Sequence, residues 1–331
     1  MTLPFVAVVI VHWKDIEATR ACLRSLKATR YANLSIILVD NGSGNQISAL
    51  GLEPGDCTLL SNPTNLGFTG GVNTGIKFAV AKDFDYVWLL NTDATVGPDV
   101  LGRLVDIAER DSRIGLVSPI FHNPDHPDQA EFRLARFDTR SRTTAQTADP
   151  IVAEDWRAHY DTTLIAIGTA LLIRRAVLDA IGVLDDQFYA YVEDVDYSLR
   201  AAAAGFRVVT APDIVVYHAF KRPIDDPGGV PPYLHYLITR NYPLLWRKLA
   251  GSTFFDRSTI WFLRERLVQL DQMKLHPRAA NALLAGLWDG FIGHGGPYEA
   301  ARRMPWPLRS LLMRYPGGVV WLIDQISRPG R

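Results

Sequence analysis

Three apolar runs in this 331-residue chain stop abruptly on side chains that can do chemistry. FVAVVIV (5–11) ends on His12-Trp13, LSIILV (34–39) on Asp40-Asn41-Gly42-Ser43, and YVWLL (86–90) on Asn91-Thr92-Asp93. Asp93 is a hard oxygen donor of the kind Mg2+ or Mn2+ accepts alongside waters and phosphate oxygens. A departing diphosphate needs its growing charge neutralised, and a divalent ion does that. A turn cap ahead of Pro98 accounts for Asp93 equally well. Asp40 is suited to accept hydrogen bonds from a base or a ribose hydroxyl, and it is also an ordinary initiator of an Asx-turn.

A second acidic group lies far downstream. EDVD (193–196) puts three carboxylates into four residues at the start of a helical pattern, where the helix dipole favours them. Asp196 faces Arg200 at i,i+4 and reads as its ion-pair partner. Glu193 and Asp194 remain, one of them free to serve as a general base. His218 closes the last apolar strand and, with Asp93, makes a candidate pair of metal ligands. Between these groups, NLGFTGGVNTG (65–75) gathers four glycines and two asparagines around Phe68. Such glycines let backbone approach a ligand closely or adopt φ > 0.

These side chains need strands that end together. The first half alternates apolar runs with helical patterns, the mark of a parallel α/β sheet whose ligands bind beyond the carboxyl ends of the strands. Helices are expected near 16–28, over 70–82 and after Pro98, with strands at 57–61 and 114–118. Residues 122–162 show little periodicity and read as an irregular insertion with a strand at 131–136. Regularity resumes with TLIAIGTALLIRR (163–175) and a helix to about Ile181. A further helix follows, with Val192, Val195, Leu199, Ala202 and Phe206 on its apolar stripe and Gly205 as its stop. RVVTAPDIVVYHAF (207–220) is expected to form a pair of strands. KRPIDDPGGVPP (221–232) reads as a linker, after which Trp, Leu and Arg recur at helical spacing.

Composition narrows the function classes. Hydrophobic residues make up 48% and the formal net charge is zero, so the chain is globular and has no global pull towards nucleic acid. The charge is unevenly placed: from Arg240 onwards there are 14 Lys and Arg against 6 Asp and Glu, leaving 21 against 29 before it. A basic C-terminal region suits an anionic surface or acceptor, and a solvated helical face accounts for it equally. Only Cys22 and Cys57 are present, too few for a disulfide framework, which points to a reducing, cytoplasmic compartment. The N-terminus has no signal-peptide pattern, and no apolar run approaches the roughly 18–20 residues that span a bilayer. Any membrane contact is then peripheral, at the inner face, with FFDRSTIWFLRERL (254–267) laying its apolar side on either the catalytic domain or the lipid.

In order, VDNGS, NLGFTGGVN, LLNTDATV, YVEDVDYSLRAAAAGF and YHAF strongly resemble the inverting nucleotide-sugar glycosyltransferases of family 2, which have the GT-A fold. The asparagine-rich variants, followed by TRN at 239–241, look most like the bacterial rhamnosyltransferase subgroup. The resemblance covers roughly residues 4–220. It implies a GT-A domain over 1–220, a Rossmann-like, mostly parallel sheet flanked by helices, and a helical C-terminal region over 221–331 for acceptor or membrane-surface contact. It further implies that Asp40 contacts the base or ribose, that Asp93 is the surviving acid of the metal-binding Asp-x-Asp, and that Asp194 is the catalytic base. His218 matches a recurrent metal or diphosphate contact. His12, Asn41, Gly67, Phe68, Asn73 and Asn91 complete the candidate nucleotide-sugar contacts. The expected cofactor is Mg2+ or Mn2+. The expected reaction moves L-rhamnose from dTDP-L-rhamnose to a saccharide or lipid-linked saccharide in cell-surface polysaccharide synthesis. Two departures stand out: Asn91 replaces the first Asp of Asp-x-Asp, and His12-Trp13-Lys14 replaces the common Thr-Tyr-Asn.

Three other readings compete. A galactofuranosyl- or glucosyltransferase using a UDP donor differs only in the sugar. A nicotinamide-dependent oxidoreductase would need a glycine-rich phosphate turn after the first strand, and none is there. A non-catalytic sugar-nucleotide-binding subunit would have no reason to keep Asp93, Asp194 and His218 together.

Overall fold

A computed structural model describes residues 3–138, 140–219, 230–250, 257–273 and 276–327. The described residues fall into two compact units. One is drawn from Met1–Phe137, Thr144–Asp185 and Glu193–Phe220, the other from Asp138–Thr143, Asp186–Val192 and Lys221–Arg331.

The first unit starts with β1 (Val6–His12), α1 (Ile16–Lys27), β2 (Leu34–Asn41), β3 (Thr58–Asn62), α2 (Gly67–Ala81) and β4 (Tyr86–Leu90). It continues through β5 (Ala94–Val96), α3 (Val100–Glu109), β6 (Ile114–Asn123), β7 (His126–Phe132), β8 (Leu134–Asp138), β9 (Thr143–Thr147) and α4 (Pro150–His159). Next come β10 (Leu164–Ile165), β11 (Ala170–Arg174), α5 (Arg175–Ile181), α6 (Glu193–Ala203) and β12 (Arg207–His218). The main sheet has the order β3-β2-β1-β4-β11-β6-β12-β5, with β7 on β6. Six strands run one way, and β5, β7 and β11 run against them. The expected mixed, mostly parallel sheet is therefore present.

β1 shows why these sequences become central strands. Its side chains alternate between two apolar layers: Val6, Val8 and Ile10 join α1 and α3, while Ala7 and Val9 join α2, α5 and α6. β4 divides the same way, with Trp88 on one side and Leu89 on the other. The α2 glycines serve this packing. A Cβ on Gly71 would lie 2.7 Å from Val11 Cγ1, and one on Gly75 would lie 2.4 Å from Val9 Cγ1. They bring the helix onto β1, so at these two positions close helix–strand contact, and not ligand approach, requires glycine.

Three expectations are corrected. Residues 122–162 are ordered: β7 pairs with β6, β8 and β9 join β10 in a small second sheet, and α4 follows with Asp149 capping its first turn. β7 is exposed or half-exposed along its whole length, so it carries no apolar alternation to read, and Arg133 breaks the strand expected at 131–136. The strand pair expected at 207–220 is one strand, β12, whose register with β6 shifts between Thr210 and Val215 around Pro212. The buried residues of α6 are Glu193, Val195, Asp196, Tyr197, Ser198 and Ala201. Of the expected stripe Val192 and Val195 are buried and Phe206 packs against the core, while Leu199 and Ala202 are only half-buried because Glu193, Asp196, Tyr197 and Ser198 share the interior.

The second unit contains α7 (Pro232–Ala250), α8 (Arg257–Gln272), α9 (Pro277–Ile292), α10 (Trp306–Arg314) and α11 (Pro316–Ser327). Trp246, Phe262, Leu267, Leu270, Leu283, Leu284 and Leu287 form its core. Phe262, Leu267 and Leu270 of α8 thus face the core of their own helical unit, a third surface beside the two considered for 254–267; residues 254–256 lie outside the described residues. The linker expected at 221–232 lies outside them as far as residue 229. Among the described residues no helix is long and apolar enough to cross a membrane.

Candidate active site

Parallel pairing brings the chemical strand ends together. His12 is in register with Asp40 across β1 and β2, and β4 lies on the other side of β1, with Asn91 directly after it. The backbone of Asn91 is fixed at three points: its N–H donates to Thr169 O at 2.9 Å, and its carbonyl accepts from Ala94 N–H at 3.1 Å and from Cys22 Sγ at 3.5 Å. Burial, then the Asp93 charge, pushes the Cys22 thiol up to about 12, so it stays a thiol.

Asp93 and His218 meet. His218 Nε2 lies 3.3 Å from Asp93 Oδ1, and the Ala219 N–H donates to Asp93 O at 2.9 Å. β12 delivers His218 through its register pairing with Ala94 on β5. The imidazole is nearly buried and the carboxylate is 36% exposed, so the pair has one open side.

Asp194 approaches by a different route. Its Oδ2 accepts from Gly168 N–H at 3.1 Å and its Oδ1 from Val195 N–H at 2.8 Å. Gly168 and Thr169 are consecutive, so one short segment before β11 holds both the Asp194 carboxylate and the Asn91 peptide, with Cα atoms about 3.8 Å apart. A Cβ on Gly168 would lie 3.7 Å from both Asp194 Oδ2 and Phe68 Cε1, which places the aromatic ring beside the carboxylate. This Gly-Thr step belongs to none of the sequence motifs. Its signal was a glycine and a hydroxyl interrupting the apolar run of 164–173.

Burial raises the Asp194 carboxyl above the usual range, against the lowering effect of the backbone donors. Its neighbour Glu193 is buried with Oε2 unpartnered, and burial plus the Asp194 charge push it up to about 8. Because the folded-state value lies above the unfolded one, Glu193 contributes stability that is complete below the ordinary carboxylate range and lost as pH rises to about 8. Glu193→Gln should remove that dependence. Its Tm should decline less than the wild type's between pH 5 and pH 9, as read by calorimetry, and parallel curves would refute the assignment. Asp196 and Arg200 pair as expected, at 2.8 Å, and Arg200 also donates to the Ile181 and Val183 carbonyls.

Other expected contact residues are hydrogen-bonded within the protein. Asn41 donates to Asn65 Oδ1 and Gly67 O and accepts from Asn62 Nδ2 and Leu66 N–H, so its amide clamps the loop that opens α2. Gly67 starts α2 with φ 77°. Asn73 is buried with its amide bonded in both directions to the Leu184 peptide. Asp40 Oδ1 accepts from Ser43 N–H at 2.9 Å, which is the Asx-turn. His12 is sealed from solvent. Thr19 Oγ1 gives its proton to Asp15 O, so His12 Nδ1–H donates to Thr19 and Nε2 carries the lone pair. Burial holds its pKa below the ordinary value, and the ring is neutral. Asp93, His218, Asp194, Phe68 and Asn91 therefore keep some exposure or an open side, whereas His12, Asn41 and Asn73 are enclosed.

A sheet of this topology with acids at its strand ends defines an α/β domain whose polar ligand site lies at the carboxyl edge of the sheet. The chain belongs to the glycosyltransferase like family 2, whose model matches residues 4–226. It is 28% identical over 235 residues to the N-acetylglucosaminyl-diphospho-decaprenol L-rhamnosyltransferase of Mycobacterium tuberculosis, covering 65% of this chain and 75% of that protein. It is 27% identical over 221 residues to galactofuranosyltransferase GlfT1 of the same organism, covering 66% and 71%. The mannosyltransferase PcManGT from Pyrobaculum calidifontis, solved with GDP-Man and Mn2+, shares the fold at TM-score 0.57 and 16% identity, covering 99% of this chain and 88% of that one.

Proposed function

We propose that the chain is an inverting hexosyltransferase that moves L-rhamnose from dTDP-L-rhamnose to a saccharide or lipid-linked saccharide acceptor in cell-surface polysaccharide synthesis. The observation that supports the mechanism is the Gly168-Thr169 step, whose two residues bond the Asp194 carboxylate and the Asn91 peptide. Asp194 takes the proton of the acceptor hydroxyl as that oxygen bonds to the anomeric carbon and the carbon–diphosphate bond breaks. Attack from the side opposite the leaving group inverts the centre, so a β-linked donor gives an α-linked product. A raised carboxyl is the stronger base, which suits a hydroxyl that becomes acidic only as it bonds. Phe68 forms part of the wall beside Asp194, and Asp40 receives the base or ribose.

Asp93 and His218 fit a divalent ion. Asp93 and His218 would hold the ion through one carboxylate and one imidazole, with waters and diphosphate oxygens as its other ligands, and an imidazole ligand suits Mn2+ better than Mg2+. No group of three or more ligating side chains occurs among the described residues, so waters and diphosphate oxygens would complete the set. When bound, the ion supplies neutralisation of the departing diphosphate.

The rhamnosyl assignment draws on the first relative, and the galactofuranosyltransferase supports the alternative of a UDP-galactofuranose donor. A panel of dTDP-L-rhamnose, UDP-galactofuranose and UDP-glucose decides, offered with a synthetic N-acetylglucosaminyl-diphospho-lipid and read by released nucleotide diphosphate. Turnover is expected with the first donor. Release from either UDP donor alone would overturn the rhamnosyl assignment.

A further inference from the structure

Arg240 and Asn241, side by side on α7, are completely buried, and their polar atoms converge on the loop that leads into Glu193 and Asp194. Asn241 Nδ2 lies 3.1 Å from the Phe188 carbonyl, 2.8 Å from that of Ala190 and 2.6 Å from that of Tyr191. Arg240 donates to Phe188 O at 2.7 Å, to the Gly296 carbonyl, and through Nε to Asn241 Oδ1 at 2.7 Å. That last bond orients the amide: its oxygen faces the guanidinium, so its N–H groups face the loop. A further layer backs the pair. The guanidinium sits over the Tyr236 ring, whose hydroxyl donates to Asp289, and Arg302 holds Asp289 with two bonds. Gly296 N–H donates to Gln187 O at 3.0 Å, anchoring the loop's other end.

The gripped loop has an unfavourable backbone. Tyr189, Tyr191 and Val192 have φ of 63°, 68° and 70°. Each left-handed non-glycine residue costs on the order of 1–3 kcal/mol and persists only where its surroundings over-determine it. A β-branched residue such as Val192 is among the least tolerant of that region. Val192 is also the residue immediately before Glu193, so its backbone angles set the direction in which α6 starts. Asp194 is the second residue of that helix.

We propose that Arg240 and Asn241 are positioning residues: by holding the Phe188, Ala190 and Tyr191 carbonyls they keep 188–192 in its left-handed path and so set the place of the Asp194 carboxylate. The inference rests on Asp194 being the base. It explains why a buried Arg-Asn pair lies so far along the chain from the acids it serves. Loss of the amide lets the loop relax towards ordinary backbone angles, and the carboxylate moves with it. A misplacement of about 1 Å at a reacting group costs on the order of 10²-fold in rate.

The test uses the full chain with the donor that turns over in the panel and the same synthetic acceptor. Asn241→Ala, Asp194→Asn and the double variant are compared by kcat per folded molecule, donor KM, donor binding by calorimetry and the pH profile of kcat. Asn241→Ala is expected to lose on the order of 10²-fold in kcat, with donor binding unchanged and the acid limb of the profile displaced. Added to Asp194→Asn it should cost almost nothing further, since both changes act through one carboxylate. Wild-type kcat per folded molecule, or full multiplication of the two losses in the double variant, would overturn the inference. If Asn241→Ala does not fold, Arg240→Lys, which keeps the charge but loses the fork, is put through the same readouts and the same criteria. Near-normal turnover in Asp194→Asn would instead remove the base assignment, an outcome distinguishable from failure of the clamp alone.

Discussion

Asp194→Asn is expected to lower transfer by roughly 10²–10⁴-fold, the usual worth of a positioned general base, while donor binding stays at the wild-type level. The substitution keeps the shape of the side chain, and one amide oxygen remains to accept from Gly168 N–H or Val195 N–H. What disappears is the lone pair able to take a hydroxyl proton. The variant should also be no less stable than the wild type at neutral pH. Burial opposes the Asp194 charge, and that charge is one of the causes that push up Glu193 beside it. Removing it relieves both acids at once, so activity should collapse while Tm holds or rises. The wild-type rate should fall on the acid side as Asp194 takes up a proton, with a midpoint above the ordinary carboxylate range, and this limb should vanish from the residual activity of the variant. Released diphosphate measured across pH, alongside calorimetric binding of dTDP-L-rhamnose, checks every part. Turnover close to wild type would show that another group takes the proton.

The parts of the molecule legible in the sequence were those governed by local rules. β1 and β4 are apolar on both faces because helices cover both, and the sequence of such a strand is an unbroken β-branched or aromatic run. The polar strand ends were legible because an amide or carboxylate is costly inside such a run. The Asp196–Arg200 pair followed from helical spacing alone. Long-range bonding was not legible. Asn41 and Asn73 resemble ligand contacts in sequence, yet their partners are Gly67 O and the Leu184 peptide, 26 and 111 residues away. Nothing local distinguishes an amide aimed at backbone from one aimed at a sugar. The insertion was missed for the opposite reason: β7 is an edge strand with no buried face, so its sequence owes nothing to a core. TRN at 239–241 stands out as a motif, but the partners of Asn241 are carbonyls of a loop some fifty residues earlier.

The second large effect falls on Asp93. Asp93→Ala is expected to cost roughly 10²–10³-fold in kcat, comparable to removing a principal stabiliser of developing negative charge, and chelation by EDTA should mimic it until Mn2+ or Mg2+ is restored. Binding of Mn2+ can be followed apart from turnover, by calorimetry or electron paramagnetic resonance. Because Asp93 and His218 supply only two donors, the ion should bind weakly to the protein alone and more tightly when dTDP is added. Asp93→Ala should remove both components. Asn91→Asp should do the reverse and strengthen Mn2+ binding even without nucleotide, because it returns a second carboxylate to the turn. That change is local: the Asn91 peptide is tied to Thr169, Ala94 and Cys22 through backbone atoms that the substitution does not touch. Stronger metal binding need not mean faster transfer, since an ion held more firmly by the protein releases diphosphate more slowly. The expected signature is therefore tighter Mn2+ binding with kcat equal to or below wild type. Full activity of the wild type in EDTA would show that the leaving charge is met by the protein's own donors, and the Asp93–His218 contact would then be an ordinary ion pair closing the end of β12.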